Sequence, residues 1–503
     1  MNGPEIPHLV ERHGVHHTIN IKYGWIVLGL STVYIGSHLL IKHLYFKTWN
    51  ETGHPYPWLK RILSIQSWVS VTATMLIVAC LSVFNIHEFS ENYPTVLKRF
   101  GRIAYSLIPL TIYLALRPAS VTNYQVGYYL ETINFHKWVS RIIVLCSVIH
   151  GIGFIVKWAS QNTLAKLLIL ENLYGVAIAI LLVFLIVISI RYFRRTQYQL
   201  FYIVHNASVW LMTLIIAFHA RPGVSFITFI AVMLLAFQLF ERFGKSFAVS
   251  GLQIAHPEGS TLEVVTISRP GNFPSYLPGS HIRINFRGKD IRSWMLPTHP
   301  YTIASTSDNN EDSLQLIIRE TDNFHLDNVS EYSLTGPFPS LPNQFFTTAK
   351  HVNIICGGSG ISFGLPLFEY FQGHGSVPVK LVWCIRNKND AKILDDIEVL
   401  GVHIYITDKA TSEGSLFDLE QQHGLLNNTE ENETSVEMSD LTKTENKLIF
   451  QGRPNLDEVF SDIGQSDRSD TWAIACGPRE LIKSTKDWAC QRNIEFYSEI
   501  YEM

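Results

Sequence analysis

Residues 136–150 read HKWVSRIIVLCSVIH, and residues 205–219 read HNASVWLMTLIIAFH. Each stretch is apolar, and each has a histidine at both ends, 14 positions apart. Fourteen residues of α-helix advance about 21 Å and close almost four turns, so both histidines of a stretch share one face near opposite leaflets. One further apolar stretch separates the two, so the two helices cross in the same direction. His136 then stands level with His205, and His150 with His219. Histidine is unfavourable inside a membrane and marks function there. Two level bis-histidine pairs predict two b-type haems stacked across the bilayer. Iron held by two imidazoles has no open position, so such haems carry electrons rather than bind ligands. Intramembrane His38 stands alone and is expected only to hydrogen-bond a neighbouring helix.

The surrounding sequence supplies a bundle. A span needs about 20 mostly apolar residues. Seven stretches are expected to cross: Tyr23–Ile41, Ile62–Ile86, Ile103–Leu116, Trp138–Val156, Leu173–Ile190, Gln199–Ala220 and Gly223–Phe240. The third is short and contains Pro109; Arg102 and Arg117 bound it, and their long stems can snorkel. A buried soluble helix is its competing reading. With seven spans, Lys47, Lys60, Arg61, Arg191, Arg194, Arg195, Arg242 and Lys245 fall on one side, which the charge rule makes the cytosol. The N-terminus is then extracytosolic and the C-terminal half cytosolic, in the plasma membrane or the endoplasmic reticulum. The first 22 residues are polar and carry no cleavable signal, so the first span is expected to direct insertion. Sequons at Asn50, Asn328, Asn427 and Asn432 would be cytosolic and unused.

Composition agrees. Of 503 residues 47% are hydrophobic and only 17% charged, and the long uncharged runs end near residue 243. That excludes a fully soluble protein, and the polar second half excludes a pure channel. A net charge of −3 implies no basic surface for nucleic acid. The six cysteines are scattered without a CxxC, which argues against zinc, iron–sulfur clusters and a disulfide framework.

From about residue 244 the pattern becomes short alternating runs with turn signals. Leu262–Ile267, His281–Phe286 and Leu314–Arg319 read as strands of a small antiparallel barrel. His351–Cys356 is an apolar strand that runs into Gly357-Gly358-Ser359-Gly360. A glycine turn between strand and helix lets backbone N–H groups approach a pyrophosphate, although glycine clusters alone are a weak signal. Val379–Ile385 ends at Arg386, and Thr471–Ala475 enters Cys476-Gly477-Pro478. Alternating strands and helices imply a parallel, doubly wound sheet. Residues 411–447 are polar and acidic, with little to bury, and read as a disordered insertion. The expected domains are an extracytosolic tail (1–22), a helical bis-haem membrane domain (23–243), an antiparallel β-barrel (244–345) and an α/β parallel-sheet domain (346–503).

In this order the motifs resemble the ferric reductase and NADPH oxidase family. His299-Pro300-Tyr301-Thr302 is similar to its His-Pro-Phe-Thr flavin motif, and Pro278-Gly279-Ser280-His281 to its barrel-strand motif. Leu316-Ile317-Ile318-Arg319, Gly336-Pro337-Phe338, the 357–360 turn, Gly452-Arg453-Pro454-Asn455 and Cys476-Gly477-Pro478 follow in family order. The resemblance covers about residues 100–503. It implies a ferredoxin-reductase-like module holding FAD and taking electrons from NADPH. Tyr301 would pack on the isoalloxazine and Thr302 would bond near its reactive nitrogen, in the strand that also carries His299 and Pro300. Arg319 would pair with the FAD pyrophosphate, next to the Gly336 turn. Gly357, Gly358, Gly360, Gly477 and Pro478 would line the NADPH site, with Arg386 and Arg453 for its phosphates. Cys476 would lie near the nicotinamide, and Tyr501 would cover the flavin. Pro339 stands where the family has glycine, which puts phosphate contacts of that turn in doubt, and the chain ends two residues past Tyr501.

The implied acceptor lies outside the cytosol: ferric or cupric ions, or dioxygen. Equal 14-residue spacing resembles the metalloreductase branch. The oxidase branch is one residue shorter on the second helix and carries a further histidine where this chain has Phe154. A superoxide-forming oxidase and a non-catalytic di-haem protein are the competing readings. His8, His13, His16 and His17 crowd the tail and suit copper or iron; an idle spacer is the alternative.

Overall fold

The computed structural model describes residues 7–52, 56–63, 67–84, 89–116, 128–220, 225–286, 296–307, 312–319, 324–341, 343–375, 377–397, 399–407, 448–461 and 470–499. The 411–447 insertion and Tyr501 lie outside these residues.

The first half is helical: α1 (Pro7–Thr52), α2 (Ser67–Val83), α3 (Phe89–Ser106), α4 (Ile108–Ala115), α5 (Tyr128–Ser160), α6 (Leu170–Ile188), α7 (Tyr198–His219) and α8 (Ser225–Gly244). Short helices Pro57–Leu63 and Arg191–Thr196 precede α2 and α7. The expected tail is helical from Pro7, continuous with the first apolar stretch. Five helices are long and apolar enough to cross a membrane: Lys22–Tyr45, Thr132–Ser160, Leu170–Ile188, Tyr198–His219 and Phe226–Gly244. Thr72–Val83 is a shorter apolar helix.

The expected third span is corrected. Ile103–Leu116 is divided between α3 and α4, which meet at Leu107. Pro109 has no N–H to donate, so the helix breaks there and resumes with Thr111 N donating to Leu107 O at 3.0 Å. Ile103, Leu107 and Leu114 are fully buried against α5 residues such as Ile142. A helix sheathed by other helices needs no lipid-length apolar run, which explains the weak signal. Arg102 does not snorkel. Its Nη1 donates to the Ala220 carbonyl at 2.6 Å, closing the end of α7. Arg99, 3% exposed, does the same for α2, donating to Leu81, Ser82 and Phe84 carbonyls. Cations at helix C-termini satisfy orphan carbonyls and oppose the dipole.

The second half opens with β1 (Phe247–Val249), β2 (Gln253–Ala255), β3 (Leu262–Ser268), β4 (His281–Phe286), β5 (His299–Thr302), β6 (Ser313–Arg319) and β7 (Tyr332–Phe338). They form antiparallel sheets of order β1-β7-β4-β5 and β2-β3-β6, joined by an Ile303–Leu316 bridge. Val265, Ile267, Ile282, Ile284, Leu314 and Leu334 fill the barrel. Gly336-Pro337-Phe338 ends a strand rather than forming a free turn: Phe338 pairs with His281 across a register shift in β4. Gly336 has φ +134°, which L side chains rarely adopt, and this permits the irregularity.

Strands β8 (His351–Gly357), β9 (Val379–Ile385), β10 (His403–Ile406), β11 (Leu448–Gln451), β12 (Thr471–Cys476) and β13 (Glu495–Glu499) make one parallel sheet of order β11-β10-β9-β8-β12-β13. Helices α9 (Ile361–His374) and α10 (Arg479–Gln491) follow β8 and β12. β12 is buried throughout, as a central parallel strand requires. The strand order reverses between β8 and β12. Crevices at the carboxyl ends of such strands are where doubly wound sheets bind ligands.

Candidate functional site

Two pairs of facing histidines organise the bundle. The His136 and His205 ring centres are 6.3 Å apart, and those of His150 and His219 6.2 Å. His136 Nδ1 bonds the Thr111 carbonyl at 2.8 Å, His150 Nδ1 the Leu97 carbonyl at 2.8 Å and His219 Nδ1 the Glu171 carbonyl at 2.7 Å. A carbonyl only accepts, so each Nδ1 carries the proton and Nε2 keeps its lone pair for the facing ring's side. That is the usual arrangement of a metal-ligating imidazole. His205 has a weaker partner, Ser189 Oγ at 3.5 Å. Glycines cradle the second pair: a Cβ at Gly101 would fall 2.8 Å from His150 Nδ1, and one at Gly175 2.6 Å from His219 Cε1. His38 packs edge-on against Phe135.

A cavity of about 1860 Å³ runs from the first pair to the barrel. His136, His205, Arg194, Arg195, Thr298 and the 336–339 segment are among its walls. Arg242 ties the junction, donating to Tyr202 Oη at 3.1 Å and to the Leu296 carbonyl at 2.6 Å.

In the barrel, His299, Pro300, Tyr301 and Thr302 form β5, paired with β4. The His299 ring stacks on Phe324 at 4.0 Å. Burial, with the Arg283 cation beside it, holds the His299 pKa down at about 4, so the ring is neutral at pH 7. Arg283 itself is fixed by Thr298 Oγ1 and the Thr298 carbonyl, both at 2.5 Å. Burial pushes the Tyr301 hydroxyl well above its ordinary range, keeping it a neutral donor. Arg319 ends β6, and its Nη2 comes within 3.5 Å of the place a Cβ on Gly358 would take.

In the parallel sheet, Gly357 ends β8, and Gly358 and Gly360 turn into α9. This turn meets Cys476-Gly477-Pro478 across the strand-order reversal. A Cβ at Gly360 would lie 2.5 Å from the Cys476 carbonyl oxygen, and one at Gly357 2.7 Å from Pro478 Cδ. Glycine is needed here for backbone-to-backbone packing as well as for any phosphate. Arg386 past β9 and Arg453 past β11 are exposed on the same carboxyl-end rim. Arg453 lies close enough to Cys384 to oppose the effect of burial, which pushes that thiol up to about 12.

Sequence reasoning missed one cluster. Tyr497 Oη donates to the Ser340 carbonyl at 2.7 Å and to Glu499 Oε2 at 3.1 Å, joining the sheet to the barrel. Burial raises the Glu499 carboxyl to about 7. The only available signal was a carboxylate within the terminal strand sequence EFYSE.

A helical bundle with two histidine pairs, an antiparallel barrel and a doubly wound sheet define a multi-pass membrane oxidoreductase of the flavin–nicotinamide type. Comparison with known families agrees. "Ferric reductase like transmembrane component" matches residues 100–216, "FAD-binding domain" 246–348 and "Ferric reductase NAD binding domain" 349–490. The chain is 46% identical to a probable metalloreductase AIM14 of Scheffersomyces stipitis, over 99% of this chain and 98% of that one. It is 41% identical to the Candida dubliniensis protein of the same description, over 98% and 99%. The chain belongs to the ferric reductase family.

Proposed function

We propose that this protein reduces a metal ion on the extracytosolic side of the membrane with electrons from cytosolic NADPH. The observation that carries this reading is the spacing of the histidine pairs. A metal–imidazole bond of about 2.0 Å, plus about 1.1 Å from nitrogen to ring centre, would put two rings that share one iron about 6.2 Å apart. The observed separations are 6.3 and 6.2 Å. His136 with His205, and His150 with His219, would each hold one b-type haem. FAD would convert the hydride supplied by NADPH into the single electrons that haems carry.

The chain's own residues bind and orient these groups. Tyr301 presents a half-buried ring to the isoalloxazine, and Thr302, with His299 and Pro300, fixes the strand that carries it. Arg319, held beside Gly358, would pair with the FAD pyrophosphate through charge-assisted bonds. Gly357, Gly358, Gly360, Gly477 and Pro478 form the floor of the nicotinamide-nucleotide crevice, with Cys476 at the reacting end. Arg386 would reach the 2′-phosphate from the rim, with Arg453 beside the same crevice, and the resemblance assigns Tyr501 to cover the flavin. An odd number of crossings, with the N-terminus outside and the barrel in the cytosol, would put the His150–His219 pair on the acceptor side. Phe154 packs on His150 at 5.1 Å, at the position where the oxidase branch carries a further histidine.

Reconstituted protein given NADPH and a ferric chelate tests the reading. Metal reduction is expected to be unaffected by superoxide dismutase. A rate abolished by the dismutase would make dioxygen the acceptor.

A further inference from the structure

The hairpin turn between β2 and β3 docks on the segment that follows Arg386. Asn387 Nδ2 donates to the Gly259 carbonyl at 2.6 Å, and Lys392 Nζ to the Glu258 carbonyl at 2.8 Å. The approach is close: a Cβ at Gly259 would fall 2.6 Å from Asn389 Nδ2. At the centre is Asp390, only 2% exposed. Its Oδ1 accepts from Thr261 N at 2.7 Å and from Ser260 Oγ at 3.1 Å. Thr261 Oγ1 lies 3.1 Å from both carboxylate oxygens. A buried carboxylate is unfavourable unless its lone pairs are met, and here amide and hydroxyl donors meet them.

Thr261 Oγ1 has a second partner. Arg319 Nη2 donates to it at 3.3 Å. The hydroxyl therefore gives its proton to Asp390 and accepts one from Arg319. Guanidinium, hydroxyl and carboxylate form a polarised chain from the barrel into the parallel-sheet domain. Each charge strengthens the bond of the hydroxyl to the other. Register supports the placement, because Arg319 pairs with Leu262, next to Thr261, across β3 and β6. A long arginine side chain at a strand end has many rotamers, and this chain selects one that holds the guanidinium beside Gly358.

We propose that Asp390 is a positioning residue: from the nucleotide domain it orients Arg319, through the Thr261 hydroxyl, for the FAD pyrophosphate. The inference rests on the reading of Arg319 as the pyrophosphate partner. It gives the two domains a common element, since Asp390 lies four residues after Arg386. FAD affinity then depends on a residue outside the FAD barrel.

The test is FAD affinity, read by flavin fluorescence on full-length protein stripped of FAD, with the haem bands as a folding control. Arg319→Gln and Asp390→Asn are each expected to raise the FAD Kd about tenfold, the scale of one hydrogen bond to a charged group. The double variant should be no weaker than Arg319→Gln alone, because Asp390 acts through Arg319. Thr261→Val should match Asp390→Asn, and Thr261→Ser should restore wild-type affinity. Lys392→Met removes a neighbouring interdomain bond without touching the chain and should leave the Kd unchanged. Multiplied effects in the double variant, or a Lys392→Met loss equal to that of Asp390→Asn, would reduce Asp390 to an interdomain clamp and overturn the proposal. An effect of Arg319→Gln without one of Asp390→Asn overturns it alone. No effect of Arg319→Gln overturns the pyrophosphate reading and the proposal with it.

Discussion

The two histidine pairs have nearly the same separation but different surroundings. In the His150–His219 pair both rings are anchored to backbone carbonyls, and glycines at 101 and 175 shape the space around them. In the His136–His205 pair only His136 is anchored so, while His205 leans on a hydroxyl at 3.5 Å, and the pair opens on the cavity that reaches the barrel. The His150–His219 pair is fixed by main chain. The pair facing the flavin module is open and partly fixed by a side chain. The difference is one of support: main chain holds one pair, while the other borders the cavity that leads to the junction with the barrel.

The comparison breaks most visibly at Gly175. Gly175→Val would force a branched side chain onto the His219 ring, an overpacking of about 3 kcal/mol. The variant should lose most of the His150–His219 haem and keep the other, as read from haem content and the reduced spectrum.

Changes in the cytosolic module sharpen the contrast by leaving both pairs alike. Glu499 has its carboxyl raised to about 7 from an unfolded value of 4.5. The stability this contributes is full below pH 4.5 and is lost as pH rises to about 7. Allowing for partial exposure, the loss is about 2 kcal/mol. Glu499→Gln should abolish that slope in Tm against pH and be the more stable protein at pH 8, with haem content unchanged. Arg386→Ala should raise the KM for NADPH about tenfold and leave that for NADH near its starting value, one charge-assisted contact being lost. Equal changes for both nucleotides would remove Arg386 from the 2′-phosphate.

The smallest effect belongs to Ser189. At 3.5 Å its bond to His205 is at the limit of hydrogen bonding and is worth less than about 1 kcal/mol. Ser189→Ala should weaken the His136–His205 haem less than fivefold. A loss as large as that from Gly175→Val would erase the contrast between the pairs.

Much of this was legible in sequence because side-chain identity carried it. The 14-residue spacing anticipated which histidines face each other, and His281–Phe286 and Val379–Ile385 coincide with β4 and β9. What the sequence hid was main-chain chemistry. Leu97, Thr111 and Glu171 orient imidazoles through carbonyls that every residue type has. Arg102 looked like a span boundary, yet it caps a helix inside the bundle, as does Arg99. The α3–α4 segment is enclosed by other helices, so its apolar run is too short to register as a span. β13 is an edge strand without a continuous apolar run, so its sequence carries no strand signal. Asp390 sat in a polar turn, where a buried carboxylate leaves no pattern.

The central claim is that each histidine pair holds one haem. Haem per chain, measured against protein concentration for purified wild type and for His150→Ala, tests it most directly. The account predicts two haems in the wild type and one in the variant, with the remaining one reducible by NADPH. Two haems retained in His150→Ala would contradict it.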